Sequence, residues 1–222
     1  IFDRDLFRKS MRIGLPTGVQ QTAVALGMMA LIWIVNKFGT NVIAAYSVAA
    51  RVNSLATLPA MNFGSALATF VGQNLGAGKE ERVKKGFRST LVMSSFISIA
   101  VTLVVIFFGN FIMELFTNDP AVVRIGKQYL TIVGSFYIVF SAMFATSGVL
   151  RGAGATVVPM ITTILSLWVI RLPGAYLLSG EIGYVGIWWA IPLGWVMGLL
   201  MAYGYYLTGS WKNKVVVSNR PS

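Results

Sequence analysis

The chain contains no cysteine and no histidine. Disulfides, thiolate or imidazole nucleophiles and the usual zinc ligands are thereby excluded. Charge is scarce as well. Only 11% of the 222 residues are charged, against roughly 25% in an average soluble domain. Acids are scarcest, 7 against 18 basic residues, for a net charge of +11. None of the acids falls inside a long apolar run, which leaves little for acid–base or metal catalysis. An enzyme is therefore the least favoured class. No basic n-region, short apolar segment and cleavage site precede the first long apolar run, so no signal peptide is expected. The chain opens on Ile1 rather than Met, which points to a fragment or a processed product.

What the chain has in abundance is apolar residues, 56% of the total, with a mean hydropathy of +0.72. So little polar surface suits lipid rather than water as solvent. A spanning helix needs about 20 largely apolar residues. Six such runs are present, near residues 15–36, 42–74, 89–109, 121–150, 157–178 and 184–207. The expected fold is an all-α integral membrane bundle of six transmembrane helices over residues 15–207. It is flanked by an N-terminal segment, 1–14, and a C-terminal tail, 208–222. Pro59, Pro159, Pro173 and Pro192 are expected kinks or ends.

The basic residues set the orientation. Arg4, Arg8, Lys9 and Arg12 precede the first run. Lys79, Arg82, Lys84, Lys85 and Arg88 separate the second and third. Arg151 separates the fourth and fifth, and Lys212, Lys214 and Arg220 follow the sixth. With alternating helices all fall on one side. The positive-inside rule then places both termini in the cytoplasm of a multi-pass protein of the plasma membrane. This confinement to loops argues for a lipid bilayer as partner and against nucleic acid. Gly14 with Gly18, Gly148 with Gly152 and Gly194 with Gly198 are small residues four apart, spacings that let helix backbones approach.

Gly72-Gln73-Asn74-Leu75-Gly76-Ala77-Gly78-Lys79 has the look of a phosphate loop but fails its pattern. Gln73 stands where the first Gly belongs and Glu80 where Ser or Thr should hold magnesium. Any transport must draw on an ion gradient or a partner chain. Val149-Leu150-Arg151-Gly152-Ala153-Gly154-Ala155-Thr156 reads as a tight turn between the fourth and fifth helices.

These two stretches carry a family resemblance. Together with Leu15-Pro16-Thr17-Gly18 and the run from Asn41 to Val52, they resemble the C-terminal six-helix lobe of MATE (multidrug and toxic compound extrusion) transporters. The matches spread from Leu15 to Leu178. The family commonly has Asp where Ala155 stands. One branch carries acids in its seventh and tenth helices, at places that correspond here to Val24 and Phe140. The resemblance thus implies a coupling acid in the absent N-terminal lobe. It implies no cofactor, with a sodium ion or proton as coupling ion bound mainly by that lobe. The implied activity is efflux of small amphipathic or cationic substrates by antiport. Two rivals are a lipid-linked oligosaccharide flippase of the same superfamily and a non-transporting membrane scaffold.

Buried amides and soft or flat side chains are the candidate substrate contacts. Gln20 and Gln21 lie in the first helix with Met28. Asn53 and Met61 lie in the second helix, with Asn62 and Phe63, and Phe136, Tyr137 and Phe140 in the fourth. An amide in lipid needs a partner, and Met and aromatic faces suit greasy cations. The same residues equally suit helix packing. Arg51 and Arg171 are the basic residues well inside runs, suited to snorkelling or to binding helix-end carbonyls. Tyr184, Trp188 and Trp189 read as an interfacial aromatic belt.

Overall fold

A computed structural model describes residues 4–214. Helix α1 is Arg4–Val35 and α2 is Thr40–Gly76, joined through a short 3-10 turn, Asn36–Phe38. Then follow α3 Glu80–Glu114, α4 Pro120–Gly134, α5 Tyr137–Gly152 and α6 Val157–Ile164. A π-helical segment, Leu165–Arg171, leads into α7 Leu172–Ile182, and α8 is Tyr184–Leu207 before a last 3-10 turn at Ser210–Lys214. Among the described residues there is no strand. Five helical stretches are long and apolar enough to cross a membrane, and α4 with α5 makes a sixth as one bent span.

Of the expected proline kinks or ends, Pro173 marks a helix start, while Pro59 and Pro192 lie inside unbroken helices. α2 runs unbroken through Pro59 for 37 residues. The sharpest break, 48° between α4 and α5, contains no proline. There the Thr102 hydroxyl of α3 donates to the Gly134 carbonyl at 2.7 Å, a side-chain partner for a carbonyl at the point where the helix ladder is interrupted. Pro173 sits at the start of α7, directly after the π segment. Widening the helix just before a proline relieves the clash of its ring with the preceding turn.

Both glycine-rich stretches end helices. Gly78 (φ 71°) and Gly154 (φ 85°) take left-handed backbone. The amides that follow them reach back to a carbonyl five residues earlier, Lys79 to Asn74 at 2.8 Å and Ala155 to Leu150 at 2.9 Å. These are paired Schellman stops. They lie at one end of the bundle, the basic end, which is also where Lys212 bridges to Glu80 at 3.0 Å.

The centre is α2 against α5, the most extensive helix pair. A Cβ on Gly64 would sit 2.8 Å from the Phe144 carbonyl oxygen, and one on Gly148 or Gly152 would overlap the Gly64 or Ala68 carbonyl. Close approach there depends on glycine. Gly194 and Gly198 lie against side chains instead, those of Arg171 and Met143, while Gly14 and Gly18 meet nothing. Of the three glycine pairs, only the last two pack within this lobe.

Trp188 departs from the interfacial reading. It is fully buried, stacked on Tyr46 at 5.7 Å and edge-on to Tyr129 at 5.0 Å. Its indole fills the core between α2, α4 and α8, where an aromatic cluster gains both buried area and ring contacts. Trp189 remains exposed.

Candidate functional site

α2 and α3 expose different surfaces, one mixed and one apolar. The outer face of α3 shows Val92, Phe96, Leu103, Phe107 and Phe111, all apolar, as lipid requires. The exposed face of α2 is mixed and recurs at helical spacing: Ser47, Arg51, Ser54, Leu55, Leu58, Met61, Asn62, Ser65, Ala66, Thr69 and Gln73. The hydroxyls of Ser47, Ser54, Ser65 and Thr69 bond back to carbonyls of their own helix, as serine and threonine do in apolar surroundings. Arg51 and Asn62 have no such internal outlet. Among the described residues neither finds a hydrogen-bond or ionic partner in this lobe. Arg51 lies about 17 Å and Asn62 about 33 Å along the helix from Thr40, at 1.5 Å per residue.

The candidate contacts scatter around this face. Met61 is on it, 37% exposed. Asn53 lies half-buried beside it, and its Oδ1 is enclosed without a partner. Gln21 is exposed on α1. Met28 is exposed, with its sulfur 4.0 Å from the Arg171 guanidinium. Phe136 stands at the α4–α5 break, edge-on to Trp189 at 6.0 Å. Tyr137 and Phe140 are buried around Trp195, at 6.4 and 4.9 Å between ring centroids. They are brought together as core. The eight residues do not converge on one cavity.

Gln20 is the most fully engaged of them. Its Nε2 donates to the Pro159 carbonyl at 3.2 Å and to Thr163 Oγ1 at 2.6 Å. Its Oε1 accepts from Arg151 Nη2 at 3.2 Å. α1 touches the rest of the bundle chiefly through α6, so this amide clamps the helix to α5 and α6. Sequence reading placed Arg151 in a turn and passed over Thr163. The turn ends at Gly154, three residues later, and nothing in the spacing paired either residue with Gln20. The serines and threonine of the α2 face were missed too, although their helical spacing with Asn62 was visible.

Arg171 is 7% exposed. It faces the Met28 sulfur and has a buried Nε without a partner. Buried as it is, it does not snorkel, and among the described residues it bonds no helix-end carbonyl. Among the described residues no group of three or more acids, histidines or cysteines could hold a metal ion.

The family model described as MatE matches residues 16–177. The chain belongs to the MatE family. It is 32% identical over 202 residues to the probable multidrug resistance protein YpnP of Bacillus subtilis (strain 168), covering 91% of this chain and 45% of that protein. It is 27% identical over 213 residues to the probable multidrug resistance protein NorM of Thermotoga maritima, covering 95% and 46%. The chain thus spans about half the length of the curated relatives it matches. Among solved structures, a MATE in the bent conformation superposes with a TM-score of 0.87 at 20% identity, over 97% of this chain and 48% of the other. An outward-facing multidrug resistance MATE family transporter of the MOP superfamily gives 0.87 at 21% identity, over 95% and 48%. The chain has the fold of one lobe of a MatE transporter.

Proposed function

We propose that this chain is one lobe of a secondary exporter of amphipathic compounds, and that the exposed face of α2 lines its aqueous cavity opposite the other lobe. The observation that carries this is the presence of Arg51 and Asn62, without partners among the described residues, on one exposed face that lipid would penalise. A charge or amide deep in a membrane bundle faces protein or water. Met61, between them on the same face, supplies a soft apolar contact for greasy substrates. Relatives named as probable multidrug resistance proteins support the substrate class. The acids of the described chain all lie at helix ends. The coupling sodium ion or proton is then bound by an acid of the other lobe. Lobes of this kind exchange access by rocking about a shared cavity.

Because the chain has no cysteine, single-cysteine variants report one position each. In native membranes, Asn62→Cys and Ser65→Cys are expected to react with a water-soluble maleimide, and Phe96→Cys and Phe107→Cys to stay unlabelled. Unreactive positions on α2 would sink the cavity reading. The transport reading is tested by ethidium accumulation in efflux-deficient bacteria expressing the full-length transporter that carries this lobe. Accumulation is expected to fall, and to recover with Asn62→Leu. Unchanged accumulation would remove cationic drugs from the substrate class.

A further inference from the structure

A groove of about 810 Å³ runs along the outside of α1. Its walls include Gly14, Leu15, Gly18, Thr22, Leu26 and, from the π segment, Trp168. Trp168 is fixed there by an indole hydrogen bond to the Ala23 carbonyl at 3.2 Å. Leu15 and Leu26 are 60% and 50% exposed, and the space beside Gly14 and Gly18 is open. From Met11 to Leu26 the groove follows about 22 Å of helix. One leaflet of a bilayer is about 15 Å of hydrocarbon. The groove is therefore long enough to seat an acyl chain through a whole leaflet, and open enough to admit one from the side.

Arg12, Arg8 and Arg4 lie on α1 at the Met11 end of the groove and toward the helix N-terminus. These are spaced four apart, on one row of α1, and all are exposed. Residues 4–12 hold four basic residues and one acid. No ion pair to the three arginines is found among the described side chains. The two glutamates at this end are already engaged, Glu80 with Lys212 and Glu81 with Lys84. A row of guanidinium groups beyond one end of an apolar groove matches a phospholipid of negative charge.

We propose that α1 holds a specific anionic phospholipid, with its phosphate on Arg8 and Arg12 and one acyl chain in the groove from Gly14 to Leu26. Such a lipid would cover the face of α1 that the rest of the lobe leaves bare. It would also brace a helix fixed mainly through Gln20 and α6. This site is independent of what the transporter carries.

The test is native mass spectrometry of the purified full-length transporter that carries this lobe, titrated with phosphatidylglycerol or phosphatidylcholine. One phosphatidylglycerol is expected to bind roughly ten-fold or more tightly than phosphatidylcholine, in line with the pull of two basic residues on an anionic lipid. The double substitution Arg8→Gln/Arg12→Gln should abolish that preference, and Gly18→Leu, which fills the groove, should lower occupancy by both lipids. Arg82→Gln/Lys85→Gln, an equally exposed basic pair at the same end, should leave the preference intact. Glycerol 3-phosphate should not displace the lipid. Equal affinity for both lipids overturns the proposal. So does a preference that survives Arg8→Gln/Arg12→Gln, or one lost equally with the Arg82 and Lys85 pair, since that would mark a diffuse charge effect. Displacement by glycerol 3-phosphate would overturn it too, by showing an anion site without the acyl groove.

Discussion

Gln20 and Arg171 show how differently two polar side chains settle in the same apolar bundle. Gln20 uses both ends of its amide on three partners across two other helices. Replacing it with Leu leaves the Arg151 guanidinium without its one side-chain acceptor. An unsatisfied buried polar group costs about 1–3 kcal/mol. Gln20→Leu is accordingly expected to lower the unfolding midpoint in mild detergent, and Gln20→Glu, which keeps an acceptor for Arg151, to lower it less. An unchanged midpoint for Gln20→Leu would show that the clamp contributes nothing. Arg171 has no acid to answer it among the described residues. Removing a buried charge of that kind in favour of an apolar group of similar volume is often neutral or stabilising. Arg171→Met should therefore leave the midpoint unchanged or raise it. A fall of several degrees would reveal a stabilising partner for the guanidinium. Neither outcome was legible in the sequence, because Gln20 and Arg151 are separated by 131 positions and only folding brings them together.

At the scale of helices, the α2–α5 seam carries the lobe. Its closeness is set by Gly64, Gly148 and Gly152, where carbonyls occupy the space of a Cβ. A backbone carbonyl cannot swing aside, so overpacking there costs about 1–3 kcal/mol or more. Gly148→Ala is expected to destabilise the lobe by that amount, while Gly14→Ala, which meets open space, should cost nothing and gain slightly from helix propensity. Equal effects in the two variants would contradict the seam. The four-residue spacing of glycines marked both sites alike. Which of them packs was decided by the neighbouring helix. The break between α4 and α5 follows the same logic. Prolines advertise bends in a sequence, yet the largest bend lies where a hydroxyl on α3 reaches the Gly134 carbonyl.

For the molecule as a whole, the arrangement of charge is the strongest constraint. The ion pair of Lys212 with Glu80 places the segment after α8 beside the α2–α3 turn, so both lie at one end of the bundle. If the positive-inside rule governs orientation, cysteines at Lys84 and Lys214 should be labelled by an impermeant reagent only from the cytoplasm, and one at Glu181 only from outside. Labelling of Lys84→Cys and Glu181→Cys from the same side would break the six-span topology. On the proposed reading, the apolar outer face of α3 meets lipid and the mixed face of α2 meets the other lobe or water.

The sequence alone determined the solvent, the number of spans, the membership of the MatE family and the exclusion of thiol, imidazole and phosphate-loop chemistry. The family is carried by its motifs and the match over residues 16–177; the rest follow from composition and from spacing along one chain, where each residue counts regardless of its neighbours. Tertiary structure alone decided where the candidate side chains are spent. Gln20 went to a clamp, Trp188, Tyr137 and Phe140 to the core, and Arg51, Asn62 and Met61 to an exposed face. A helix offers every side of its surface to packing. In a chain so uniformly apolar, periodicity cannot say which side meets lipid, protein or water. That choice is made by contacts between helices far apart in sequence.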